Sequence, residues 1–158
     1  MSPGRERGIK FDVGHGGGSF IWPVAMAAAK AGFFPDSIST DLHTGSMNGA
    51  MKDQLNAMSK IIEMGASLED VVRMSTMTPA EEIKRPELGS LELGAEADVA
   101  VLRLDTGKFG FVDTQGGKRM GSKLLVCEMT IRKGKVVWDL NGRVAPDWKT
   151  HTYRYQMN

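Results

Sequence analysis

The first 41 residues constrain the fold more than any other stretch. A short strand-like run, Ile9-Lys10-Phe11-Asp12-Val13, leads into Gly14-His15-Gly16-Gly17-Gly18-Ser19 and then into an alanine-rich segment that starts near Pro23. Proline suits a first helical position, the residues from Val24 to Ala31 are compatible with a helix, and Gly32 stands where a helix would end. Asp36-Ser37-Ile38-Ser39-Thr40-Asp41 then reads as a second strand with Asp41 at its C-terminal end. Strand, glycine loop, helix and strand make a βαβ unit, so the two strands are expected to be parallel neighbours. Ligands of such sheets gather at the C-terminal strand ends, where His15 and Asp41 stand.

The next segments read as helices. Met51, Leu55, Met58 and Ile62 recur at helical spacing before Gly65, and Ser67-Leu68-Glu69-Asp70 offers an N-cap followed by acidic residues. Leu68, Val71, Val72 and Ser75 give that helix a face, and Thr78-Pro79-Ala80-Glu81 predicts a further short helix starting at Thr78. From Gly89 the texture changes to β-branched runs separated by glycine: 98–104, 109–112, 124–132 and 136–138. These form a meander, with Lys133-Gly134-Lys135 as a tight turn inside a hairpin over 129–138. The tail from Val144, with Trp148, Tyr153 and Tyr155, has no period and fits an ordered arm or a frayed end.

Composition excludes several functions. With 41% hydrophobic and 25% charged residues the chain can build a core. Twenty basic against nineteen acidic residues give +1, and no basic cluster is interleaved with aromatics, so nucleic acid is not an expected partner. No run approaches the ~18 to 20 apolar residues of a membrane span, and the basic N-terminus lacks a following apolar stretch, so no membrane association is expected and the location is read as cytoplasmic. Cys127, the single cysteine, excludes an internal disulfide and fits a buried, inert thiol in a reducing compartment.

Taken in order, Phe11-Asp12-Val13-Gly14-His15-Gly16, Ile38-Ser39-Thr40-Asp41-Leu42-His43, Thr78-Pro79-Ala80, and Leu88-Gly89 through Gly94-Ala95-Glu96-Ala97-Asp98-Val99 resemble the C-terminal third of amidohydrolases, in the deacetylase-like or dihydroorotase-like branch. The resemblance covers about residues 9 to 143. It implies an α/β fold, the C-terminal fragment of a (β/α)8 TIM barrel plus part of an accessory β-sandwich. Residues 1–86 would be the last barrel strands and helices, 87–143 the sandwich portion and 144–158 a tail.

The family holds one or two divalent metals, usually zinc, through an HxH pair, later histidines, often a carboxylated lysine, and an aspartate ending the eighth strand. Asp41 looks like that aspartate, which would bind metal, take the proton of the attacking water and pass it to the leaving group. His15, Gly16 and His43 fall where relatives place substrate contacts. From the residues alone, Asp41 could equally be a loop or helix-cap aspartate, His15 a loop histidine satisfied by backbone, and His43 a surface histidine. The histidines are His15, His43 and His151, which supply no HxH. A catalytic zinc site wants about three protein ligands.

The resemblance therefore implies a metal-dependent hydrolase of small-molecule amides or esters that is incomplete and inactive as this chain alone: a truncated product, a reading-frame artefact or one piece of a split enzyme. The alternative is a non-catalytic remnant or a subunit of a split enzyme, and the expected partners are a second copy in a homo-oligomer or a complementing N-terminal barrel chain. A serine esterase is a further rival, because His15-Gly16-Gly17-Gly18 matches an HGGG oxyanion loop. No G-x-S-x-G follows it, the nearest stretch being Thr44-Gly45-Ser46-Met47-Asn48-Gly49.

Overall fold

The computed structural model describes residues 3–154, so Tyr155 of the tail lies outside the described residues. The chain opens with a helical turn, α1 (Pro3–Glu6), followed by β1 (Asp12–Gly14), α2 (Trp22–Lys30) and β2 (Ser37–Ser39). Strands β1 and β2 are parallel neighbours, as the βαβ reading requires, with Val13 opposite Ile38. Both strands are shorter than the runs 9–13 and 36–41 read as strands in the sequence. Asp12 braces the pair, because its carboxylate accepts hydrogen bonds from the hydroxyls of Ser37, at 2.8 Å, and Ser39.

Helix α2 starts at Trp22, one residue before the proline, and has no side-chain cap on Ile21. Its first N–H is satisfied from far along the chain, where Asp113 Oδ2 accepts from Trp22 N at 3.1 Å. The indole Nε1 of Trp22 donates to Phe111 O at 2.9 Å, fastening the helix to the later sheet. Gly32, with φ +73°, ends α2 in the left-handed conformation that suits glycine.

Three helices follow: α3 (Gln54–Glu63), α4 (Leu68–Ser75) and α5 (Met77–Glu82). Asp53 caps α3 by accepting from Asn56 N at 2.7 Å, and Ser67 caps α4 by accepting from Asp70 N at 3.0 Å. The start expected at Thr78 is displaced. Helix α5 begins at Met77 after Thr76, which turns the chain between α4 and α5 without a side-chain cap. Thr76 instead spends its hydroxyl on Val72 O at 2.8 Å, at the end of α4.

A 3-10 turn (Pro86–Gly89) precedes the antiparallel sheet of β3 (Val99–Val112), β4 (Lys118–Arg132) and β5 (Lys135–Asp139), in that spatial order. The runs 98–104 and 109–112 are one strand, interrupted by an irregularity between Thr106 and Phe109. The hairpin expected over 129–138 is present. Lys133 (φ 50°) and Gly134 (φ 72°) both adopt positive φ, as a two-residue hairpin turn demands. Asp98 Oδ1 accepts from Lys133 N at 2.7 Å, tying the residue before β3 to this turn.

One core joins these parts. Phe20, Trp22 and Ile38 from the βαβ unit, Ile61 and Val71 from α3 and α4, and Phe111 and Leu125 from the sheet are buried together. Burial of each such side chain contributes about 1.5–3 kcal/mol. Helix α3 also docks on β4 through polar contacts. Glu63 Oε1 accepts from Ser122 N at 3.0 Å and Lys123 N at 2.9 Å, and Ser59 Oγ accepts from Leu125 N at 3.0 Å. The approach needs Gly121, where a Cβ would lie 2.6 Å from Glu63 Cδ. Cys127 is a free, partly buried thiol. Among the described residues no helix is long and apolar enough to cross a membrane.

Candidate functional site

The parallel pairing runs on past the two strand ends. His15 N donates to Ser39 O at 3.3 Å and Gly16 N to Thr40 O at 2.8 Å, so the His15–Gly16 loop and Thr40–Asp41 leave the sheet side by side. Gly16 turns with φ +46°. A Cβ there would overlap Asp41 Oδ2 and sit 3.2 Å from Asp41 Cγ, so only glycine lets the carboxylate lie flush against the loop.

Asp41 itself has φ 49°, a left-handed conformation that aspartate tolerates better than most residues. Ser46, fully buried, holds the turn closed. Its Oγ accepts from His43 N at 3.0 Å and lies 3.2 Å from Asp41 O and 3.3 Å from His43 O, where its proton can go. The side chain of Asp41 is left exposed at the rim.

His43 is exposed on the same rim. Gly45 N donates to its Nδ1 at 3.1 Å, so the neutral ring carries its proton on Nε2. That nitrogen faces Gly17, 3.9 Å from where a Cβ on Gly17 would be. Asp41, His43 and the glycine loop thus form one open corner at the C-terminal ends of β1 and β2, with a carboxylate and an N–H donor available to a small molecule.

His15, expected either as a substrate contact or as a loop histidine satisfied by backbone, does not lie on the exposed rim. It is fully buried, stacked on Phe20 with ring centroids 4.8 Å apart and planes at 9°. Nδ1 lies 3.1 Å from Gly16 O, which can only accept, so Nδ1 carries the proton and Nε2 is an acceptor. Its donor is Lys60 Nζ at 2.7 Å.

Lys60, on α3, was not visible as a site residue in the sequence. It is fully buried, and its three N–H donors go to His15 Nε2, Ala50 O at 2.8 Å and Val112 O at 2.8 Å. Burial, then the nearby charge of Lys52, lowers its pKa to about 8 against the opposing pull of Asp113. Burial also pushes His15 below its ordinary value. Asp113 is held low chiefly by the Trp22 N–H, which together with the Gln115 and Gly117 N–H groups favours its charged form.

Among the described residues no three His, Cys, Asp or Glu side chains converge as a metal cluster. The donor set at this corner is one carboxylate with one neighbouring imidazole, and taken alone it does not fit a zinc centre of about three protein ligands. The esterase alternative gains nothing from the geometry, because the hydroxyl of Ser46 is buried and committed to its own loop.

Residues 19–137 match the Amidohydrolase family. A deacetylase of Brucella anthropi is 39% identical over 109 residues, which are 69% of this chain and 27% of that protein. Among solved structures, a dihydroorotase superposes with a TM-score of 0.79 at 34% identity, covering 85% of this chain and 37% of the other. An adenine deaminase superposes with a TM-score of 0.80 at 29% identity, over 85% and 37% of the two chains. The chain thus spans about a quarter to two fifths of the length of these relatives.

Proposed function

The chain belongs to the amidohydrolase family, and from that premise we propose that it supplies the Asp41 side of a metal-dependent hydrolase site acting on small amides or esters, with acetylated amines first among them. The observation that carries this is the placement of Asp41, an exposed carboxylate immediately past the parallel strand pair, flush against Gly16 and beside His43. In the proposed reaction the Asp41 carboxylate takes a proton from the attacking water as the C–O bond forms, and passes it to the leaving nitrogen as the C–N bond breaks. The products are a carboxylic acid and an amine. His43 Nε2–H donates to a substrate oxygen.

The assignment to acetylated substrates rests on the Brucella anthropi relative, whose name is deacetylase. Strands β1 and β2 with their helices are proposed as part of a (β/α)8 barrel, and β3 to β5 as part of an accessory sandwich. The metal is proposed to be divalent, zinc by preference, with Asp41 as one ligand; the described residues do not complete its shell. Activity therefore belongs to a complete site, formed with a complementing barrel chain or in a longer polypeptide.

A chimera tests the reading. This chain would replace the aligned segment of the Brucella anthropi deacetylase, and release of acetate from an acetylated substrate of that enzyme would be measured with zinc present. The folded chimera is expected to be active, and Asp41→Asn to lower kcat about 10²- to 10⁴-fold. An active chimera indifferent to Asp41→Asn removes the assignment.

A further inference from the structure

We propose that Lys60 is a positioning residue for Asp41, acting through His15 and Gly16. The chain of contact is continuous. Lys60 Nζ holds His15 Nε2 at 2.7 Å, the opposite ring nitrogen holds Gly16 O at 3.1 Å, and the Cα of Gly16 forms the wall on which the Asp41 carboxylate rests. Gly16 N in turn bonds Thr40 O, one residue before Asp41, so the wall and the carboxylate share one backbone register.

The ammonium has no slack in this arrangement. Its other two protons are taken by Ala50 O, on the loop between β2 and α3, and Val112 O, at the end of β3. Phe20 lies under both partners, with its ring 5.4 Å from Nζ and stacked on the imidazole. Four segments therefore meet at Lys60, α3 included, and two of them, the His15 loop and the loop that carries Asp41, His43 and Ala50, lead to the exposed corner. A lysine whose sole use was to hold the core together would not need an imidazole acceptor whose second nitrogen is tied to the site loop.

The inference takes its functional meaning from the reading of Asp41 as a site residue, but its test does not depend on turnover. Amide exchange and the Asp41 carboxyl carbon would be followed by NMR in the full chain and in Lys60→Met, which keeps the apolar stem and removes the donors. Exchange at Gly16 N–H is expected to accelerate about tenfold or more, with a shift of the Asp41 carboxyl signal, while the β4–β5 hairpin amides near Ile131 and Val136 keep their protection. Uniform loss across the molecule, or no change at Gly16 and Asp41, overturns the proposal.

If Lys60→Met does not fold, the unsubstituted chain decides through its own titration. The charged and titratable groups around the ammonium are His15, Lys52 and Asp113. The Gly16 amide and the Asp41 carboxyl carbon are expected to follow the deprotonation of Lys60, with a midpoint near pH 8. Flat signals between pH 7 and 9.5, roughly the span in which a group of that pKa changes charge, overturn it.

Discussion

Lysine 60 and histidine 15 impose a pH dependence on stability whose sign follows from burial. Lys60 falls from 10.5 to about 8 in the folded protein, so between those values the unfolded chain binds the proton that the folded chain has released. Stability then rises with pH across that window, and the gain is lost as pH falls back from 10.5 to 8. His15 is also lowered, so its contribution is complete above 6.5 and is lost as pH falls below that value. Urea unfolding at about pH 5.5, 7.5 and 9.5 is expected to give rising midpoints, with the upper step, at most about 3 kcal/mol, removed in Lys60→Met. A midpoint that falls between pH 7.5 and 9.5 contradicts the burial of a titrating Lys60. At this scale the sequence shows part of the candidate corner. The exposed places of Asp41 and His43 just past β2 are legible, because both follow a strand run and stand among loop residues. The burial of His15 and Lys60 is not, because a lysine between Ser59 and Ile61 reads as a solvated helix position until three acceptors from distant segments close around it.

Secondary-structure elements here stop and start where local chemistry is strong, and drift where it is weak. Ser67 begins α4 because its hydroxyl takes the Asp70 N–H and also donates to Asp70 Oδ2 at 2.6 Å, a reciprocal bond available from four consecutive residues. Ser67→Ala is expected to cost about 1 kcal/mol, read as a lower thermal midpoint, whereas Thr78→Ala, at a position with no capping role, is expected to change it little. Equal effects of the two would refute the observed boundaries. Helix α2 shows the opposite case. Its start lacks a local cap and borrows Asp113 from 91 residues away, which no window along the chain can reveal. In β3 the glycine at 107 reads as a break between strands, but the pairing with β4 resumes beyond it, and the glycine instead admits the ring of Phe109, 3.1 Å from where its Cβ would be. The βαβ unit was the most legible element, since proline, glycine and a short apolar run each limit the backbone independently.

For the molecule as a whole, the distribution of apolar surface sets how it behaves in solution. The parallel sheet consists of two strands, so among the described residues each has one unpaired edge. Several large apolar side chains stand in water: Leu91 at 77% exposure, Leu93 fully exposed, Trp138 at 53% and Trp148 at 70%. Single exposed apolar residues are ordinary, but open strand edges combined with such side chains favour pairing with another chain. With a formal charge of only +1, little electrostatic repulsion opposes that contact. Association is therefore expected to rise with protein concentration. Sedimentation velocity over a roughly hundred-fold concentration range should show a weight-average mass climbing above the 17.2 kDa of one chain. Because the driving surface is apolar, the climb should persist at high salt, where attraction between charges is screened within a few ångströms. A sharp monomer boundary at every concentration would mean that these side chains and edges are tolerated in water. The proposal that the chain works with a complementing barrel chain would then lose its physical driving force.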